Sequence, residues 1–231
     1  MAGEDNTINP LRLRRTAVQD ELRMPSLEFE EAVVSETGAQ LIAGLDEAGR
    51  GAIAGPVVAA AVILPLNDPQ ALAQLAEVDD SKKLAAKKRE MLFERIVQRA
   101  RAFGVASSSA DEIDRYGIIG ATKLAMRRAV ALLEPPPEYL LIDGRIRLKE
   151  LALPQKSIIR GDAKSLSIAA ASILAKVTRD RVMVEQQRHF PAYGFARHKG
   201  YCTWQHVTEL SENGPCLIHR QSFAPIRQKL L

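Results

Sequence analysis

Cysteine is nearly absent: Cys202 and Cys216 are the only two in 231 residues, and they form no CxxC pair. That excludes a disulfide-stapled scaffold and a cysteine-based metal knuckle, and it suits a reducing compartment. Long apolar runs are missing as well. The longest, residues 57–65 and 168–175, fall far short of the roughly 20 residues that cross a bilayer. The first residues, MAGEDNTINPLRLRR, are polar and carry acids at their head, which is not the pattern of a secretory signal. A cytoplasmic location is therefore expected. Nor is there a strong excess of one charge: 32 Lys and Arg stand against 28 Asp and Glu, with a pI near 9.1, a slight pull toward anionic partners. No internal repeat and no low-complexity tract occurs.

What the chain does have is an apolar fraction of 46% beside 26% charged residues, enough for a core of substantial size. Residues 1–40 mix charges with Pro10 and Pro25 and lack a sustained apolar period, so they read as a partly ordered N-terminal extension with one helix near 26–34. From Leu41 to Leu231 the pattern is that of a single α/β domain. Strands are predicted at 41–45, 57–64, 102–106, 139–142 and 157–160. Helices are predicted at 84–100, 109–116, 119–133 and about 163–188. The first half of the last helix, SLSIAAASILA, is apolar or small nearly all round and should be buried. The tail from Pro191 reads as loop and short helix rich in Arg, His and aromatic residues.

Three acidic positions share one setting. Asp46-Glu47, Asp143 and Asp162 each stand where a strand-like run gives out beside a glycine. Strand ends on one edge of an open α/β sheet line a ligand crevice, so these acids are candidates to converge. Like charges brought together stay ionised only if cations neutralise them, and an all-oxygen set favours a hard ion such as Mg²⁺ or Mn²⁺. Two such ions, about 3.5–4 Å apart, suit phosphoryl displacement by water. Taken singly, each acid also has a structural reading: Asp46-Glu47 as a cap on the glycine turn, Asp143-Gly144 as an Asp-Gly turn, Asp162 as a helix N-cap.

The loop Gly49-Arg50-Gly51-Ala52-Ile53-Ala54-Gly55 matches the dinucleotide fingerprint poorly. Its third glycine is displaced by one, Pro56 follows, and the next run is β-branched. A cation between two glycines fits close backbone approach to a phosphate or sugar instead. In the stretch from Tyr193 to Tyr201, YGFARHKGY, aromatics alternate with cations. That mixture suits stacking on sugars or bases with cations on phosphates; a solvated loop pinned by its aromatics is the structural alternative.

With these residues in view, the sequence closely resembles the ribonuclease HII family. The matching stretches are GLDEAGRGAIAGPVVAAAVIL (44–64), DSKKL (80–84), ATKLAM (121–126), LLIDG (140–144), GDAKSLSIAAASILAKVTRDR (161–181), YGFARHKGY (193–201) and HRQSF (219–223). The resemblance implies a ribonuclease-H-like fold, a mixed central sheet flanked by helices with a C-terminal helical portion. It implies a monomeric endonuclease that hydrolyses the RNA strand of RNA–DNA hybrids and nicks duplex DNA 5′ to embedded ribonucleotides by a two-metal mechanism, with Mn²⁺ or Mg²⁺. By the same implication, Asp46, Glu47, Asp143 and Asp162 are the catalytic, metal-binding set, Gly49, Arg50 and Gly51 read the ribose 2′-hydroxyl, and Tyr201 packs on the adjoining sugar. Lys82, Lys199, Lys164, Ser165 and Ser167 are further candidates for phosphate positioning, with capping an equal reading of the serines. His198 and His219 lie in matching stretches but are not assigned as a general base. Residues 1–40 match nothing in the family core.

Overall fold

A computed structural model describes residues 24–227. The first 23 residues, and with them most of the expected N-terminal extension, lie outside the described residues. Five strands form one mixed sheet in the order β3-β2-β1-β4-β5, where β1 is Ile42–Ala48, β2 Val57–Ile63, β3 Ala102–Ser108, β4 Tyr139–Asp143 and β5 Gln155–Ile158. β1 pairs antiparallel with β2 and parallel with β4, so β1 is the hinge of the mixed topology. In chain order the helices are α1 (Glu28–Thr37), α2 (Pro69–Ala73), α3 (Ala86–Arg99), α4 (Ala110–Ala131), α5 (Leu166–His189), α6 (Phe195–His198), α7 (Trp204–Asn213) and α8 (Ala224–Arg227). Among the described residues no helix is long and apolar enough to cross a membrane.

The two faces of the sheet bury different helices because strand side chains alternate. Ala43 and Leu45 of β1 face α4, where Ala121, Ala125, Met126 and Ala129 complete one core. Ala48 of β1, with Ala60 and Val62 of β2, faces α5 and α3. β2 is buried along its whole length, and its run of three alanines lets both helix layers approach closely. Gly44 extends that logic: a Cβ there would lie 2.2 Å from the Ser167 carbonyl carbon, so the start of α5 rests directly on β1.

The expected elements are present, with two shifts that matter, at the end of β1 and the start of α5. β1 does not stop at Leu45; Asp46 and Glu47 are strand residues paired to Ala60 and Ala59. The helices expected at 109–116 and 119–133 are both present within α4, and the break between them falls at Gly117, whose φ of 68° and ψ of 161° set a kink. A Ser109–Glu112 capping box starts this element. The long helix begins at Leu166, after a 3₁₀ turn over Gly161–Ala163, and Ser165 is its N-cap.

Helix α1 is fastened to the core. Ser26 bridges to Ser165, and Glu30, 1% exposed, accepts hydrogen bonds from the Ser165 hydroxyl and from the Ser167 amide and hydroxyl. A carboxylate at the first turn of α5 also meets the positive end of that helix.

Candidate active site

Backbone register gathers the acids. One residue beyond the last β1–β4 pair, Leu45↔Ile142, come Asp46 and Asp143, side by side on adjacent parallel strands and on the α5 face. Such strands lie about 4.8 Å apart, so the two carboxyls share one patch. Asp162 arrives from the 3₁₀ turn ahead of α5, and its neighbour Gly161 donates its N–H to Asp143 Oδ1 at 2.7 Å. A Cβ on Gly161 would crowd Ile168 and Asp143 Oδ1, so only glycine lets this turn close over the end of β4. Glu47 projects to the opposite face at the end of the same strand. Asp162 is not the cap of α5, since Ser165 has that place.

The electrostatics follow from burial. Asp46 and Asp162 are each 4% exposed. Burial first, then the charges of Glu47, Asp143 and Asp162, hold the Asp46 carboxyl well above the usual carboxylate range. Asp143 is raised by burial and by Asp162. Glu47 is raised by burial and only partly relieved by Arg50. Two cations meet this cluster: Lys82 Nζ donates to Asp162 Oδ2 at 2.7 Å and Arg50 Nη1 to Glu47 Oε1 at 3.0 Å. Burial opposes the Lys82 charge, but Asp162, Asp80 and Asp46 together raise its pKa.

As the side chains stand, no three His, Cys, Asp or Glu residues among those described close on a common point. Their chemistry nevertheless fits a hard divalent ion. The donors are all carboxylate oxygens, burial and mutual repulsion outweigh what relieves Asp46, and Glu47 Oε2 is buried with no hydrogen-bond partner.

Facing the acids is the glycine loop, and what holds it is absent from the expectations above. Arg179 and Arg220 are both fully buried, and neither has a carboxylate partner among the described residues. Arg179 donates to the carbonyls of Pro56, Lys199 and Ala54 at 3.0, 2.9 and 3.2 Å. Arg220 donates to those of Gly55, Arg50 and Gly49 at 3.0, 2.9 and 2.7 Å. Burial, then the charge of Arg179, pushes Arg220 down to about 9. Gly49, at φ +94°, leaves no room for a side chain, because a Cβ would sit 1.9 Å from Arg179 Nε. Gly51 differs: a Cβ there would meet nothing within 4 Å, so packing does not demand a glycine.

The same loop draws in the C-terminal segment. Ala52 bridges to Tyr201, Ala54 bridges to His219, and the Ile53 amide bonds the Gly200 carbonyl at 2.8 Å. Tyr201 is thereby half-buried beside Arg50 and Gly51, with the Arg179 guanidinium 5.2 Å from its ring centroid. Beneath it lies a histidine relay. His219 Nδ1 accepts from the Cys216 amide, its Nε2 meets His206 Nε2 at 3.0 Å, and His206 Nδ1 reaches the Tyr201 carbonyl at 2.9 Å. Every ring nitrogen is therefore assigned with both rings neutral, and burial lowers both to about 4. His198 is buried against Glu209.

Strand register, ion pairs and bridges link Asp46, Glu47, Asp143, Asp162, Lys82, Gly49, Arg50, Gly51 and Tyr201 into one neighbourhood, and three candidates fall outside its working surface. Ser165 is fully buried, with its hydroxyl bonded to Glu30 and accepting from the Ile168 amide; it is a helix cap with no surface to offer a phosphate. Ser167 is buried on Glu30 in the same way. Lys199 is half-buried and turns its ammonium back onto the Ala196 carbonyl, and burial lowers its pKa, so it serves as an inward prop.

A family model described as Ribonuclease HII matches residues 43–226. A ribonuclease HII from Geotalea uraniireducens is 52% identical over 204 residues, covering 88% of this chain and 92% of its own. Among solved structures, the ribonuclease H2 of Pyrococcus horikoshii superposes with a TM-score of 0.68 at 24% identity, over 81% of this chain and 95% of that one. A PCNA complex of ribonuclease HII from Archaeoglobus fulgidus gives 0.67 at 28% identity, over 80% and 95%.

Proposed function

The chain belongs to the ribonuclease HII family and is a ribonuclease H, a class acting on RNA–DNA hybrids, and from that premise we propose that it also nicks duplex DNA 5′ to a single embedded ribonucleotide. The observation that carries this reading is the pairing, across one crevice, of four carboxylates with a glycine loop left open at Gly51. We take residues 41–231 as the catalytic domain and 1–40 as an extension, and the protein as a cytoplasmic monomer; both cysteines are free, as a reducing compartment requires.

Asp46, Glu47, Asp143 and Asp162 would hold two divalent ions, Mg²⁺ or Mn²⁺. Bound there, such ions supply an activated water and positive charge for the departing oxygen. The carboxylates, packed beyond their comfort as neighbours, gain from that charge instead of losing to each other. The reaction forms one bond from a water oxygen to phosphorus and breaks the bond from phosphorus to the upstream O3′. The products are a 3′-hydroxyl and a 5′-phosphate on the ribonucleotide, with no enzyme-linked intermediate.

Recognition falls to the opposite wall. Gly51 presents bare backbone, so a ribose can approach without meeting a Cβ, and the half-exposed Arg50 can exchange Glu47 for a phosphate oxygen. Tyr201 offers a ring face to the neighbouring sugar. Lys82, 75% exposed on its side chain, stands by Asp162 where a phosphate oxygen would enter. Reading the 2′-hydroxyl is how such a wall separates RNA from DNA.

The test is a labelled DNA duplex with one ribonucleotide, incubated with Mg²⁺ or Mn²⁺ beside an all-DNA duplex and an Asp46→Asn variant. The expected result is a nick 5′ to the ribonucleotide in the first reaction alone. An intact strand with both ions would show that single-ribonucleotide incision is not this protein's reaction.

A further inference from the structure

A cavity of about 510 Å³ opens beside the crevice, lined by Arg50, Ile119, Lys123, Arg145, Ile146, Arg147 and Lys149. Five of these seven are cations and none is an acid. The segment after β4 builds it by alternation. Gly144, at φ 76°, turns the chain immediately after Asp143. Ile146 and Leu148 then drop into the α4 core, while Arg145, Arg147 and Lys149 stand exposed.

The arm is fixed before any ligand arrives. Gln155 clamps Leu148 twice, accepting from its N–H at 2.7 Å and donating to its carbonyl at 3.0 Å, and the Ser157 hydroxyl donates to the Ile146 carbonyl. Lys123 and Ile119 close the cavity from α4. Apart from Arg50, which bonds Glu47, these cations have no hydrogen-bond or ion-pair partner among the described residues. Mutually repelling cations held on a rigid frame stabilise an anion between them, and the exposed Ile119 gives a sugar an apolar contact.

We infer that this cavity binds a backbone phosphate of the substrate duplex away from the bond that is cut, with Arg50 joining it to the catalytic crevice. The inference rests on the nucleic-acid reading above and extends the footprint along the duplex on the α4 side. It assigns Arg145, Arg147, Lys149 and Lys123 to substrate holding, outside the chemistry. Because the arm begins one residue after Asp143, a phosphate seated there also fixes the duplex relative to the acids.

The experiment measures cleavage of an RNA–DNA hybrid by the full chain across a range of salt concentrations. It compares wild type, Arg145→Gln/Arg147→Gln, and a control Lys87→Gln/Arg99→Gln that removes the same charge from α3, on the other face of the sheet. The cavity variant should raise KM about tenfold at near-physiological salt with kcat retained, and flatten the salt dependence of log kcat/KM by roughly 0.9 for each phosphate given up. The control should do neither. Lys149→Gln alone should shift KM the same way by a smaller factor, which guards against a folding defect in the double variant. Wild-type KM and salt slope in both cavity variants, or an equal loss in the control, would overturn the inference. A wild-type protein that leaves the hybrid uncut would overturn the nuclease reading instead, so the two failures are distinct.

Discussion

The two walls of the crevice are built by opposite means. On the acidic wall, each carboxyl is placed by the element it belongs to: Asp46 and Glu47 by β1, Asp143 by the end of β4, Asp162 by the turn into α5. On the recognition wall, the glycine loop has no regular structure of its own. It is shaped by two guanidinium groups that arrive from α5 and from the HRQSF stretch. The charge logic is inverted too. The acids are crowded and relieved at the rim by Lys82 and Arg50, whereas the buried arginines are hydrogen-bonded to carbonyls, with no carboxylate in ion-pair contact among the described residues. A wall that must repel nothing can be made from register, but a wall that must hold bare backbone toward a ligand needs long-range ties.

If that division is right, damage to the acidic wall should stop chemistry and spare binding. Asp46→Asn is expected to lower kcat on the order of 10³-fold, about 4 kcal/mol of barrier, with the affinity for hybrid equal to or tighter than wild type because a repelling charge is gone. Single-turnover rates beside equilibrium binding check both halves. On the other wall, Arg220→Met leaves the carbonyls of Gly49, Arg50 and Gly55 without their donor. Each unpaired buried carbonyl costs about 1–3 kcal/mol, partly offset by removing a buried charge. The loop should slacken, and the preference for ribonucleotide over all-DNA duplex should fall about tenfold with kcat on long hybrid less affected. A fall in kcat as deep as that of Asp46→Asn would erase the distinction between the walls.

Two smaller effects sharpen the contrast. Glu30→Leu strips three hydrogen bonds from the start of α5 and is expected to cost about 2–3 kcal/mol in urea unfolding, with the residual activity of the folded protein preserved. The C-terminal support has an acid limit. His206 and His219 are held neutral, their folded pKa depressed from 6.5 to about 4. Their contribution is complete above pH 6.5 and is lost as pH falls through 4, with a slope approaching roughly 1.4 kcal/mol per pH unit for each ring. Thermal melts from pH 7 to 4 should show this limb, and His206→Gln should make it shallower.

This difference in construction also decides what the sequence could reveal. The acids stood out because a strand end beside a glycine is a local pattern, although β1 ran three residues past its expected end, since Asp46, Glu47 and Ala48 keep pairing with β2. The break expected between the helices at 109–116 and 119–133 falls at Gly117, where a glycine can take the left-handed φ that a kink requires. Arg179 and Arg220 were missed because an arginine ordinarily reads as a solvated charge, and all their partners but Lys199 lie more than a hundred residues away. A signal existed for Arg179. It lies four residues after Ala175 and four before Met183, both fully buried, and so falls on the inward stripe of α5. Glu30 looked like one more charge in a polar extension, and only the fold shows it beneath the first turn of α5.

The most direct measurement is competition binding on Asp143→Asn protein, comparing a duplex that carries one ribonucleotide with the all-DNA duplex, and repeating it with Arg220→Met added. The division of labour predicts that the preference for the ribonucleotide survives Asp143→Asn and disappears in the double variant. Loss of the preference with Asp143→Asn alone, or its survival in the double variant, would contradict it.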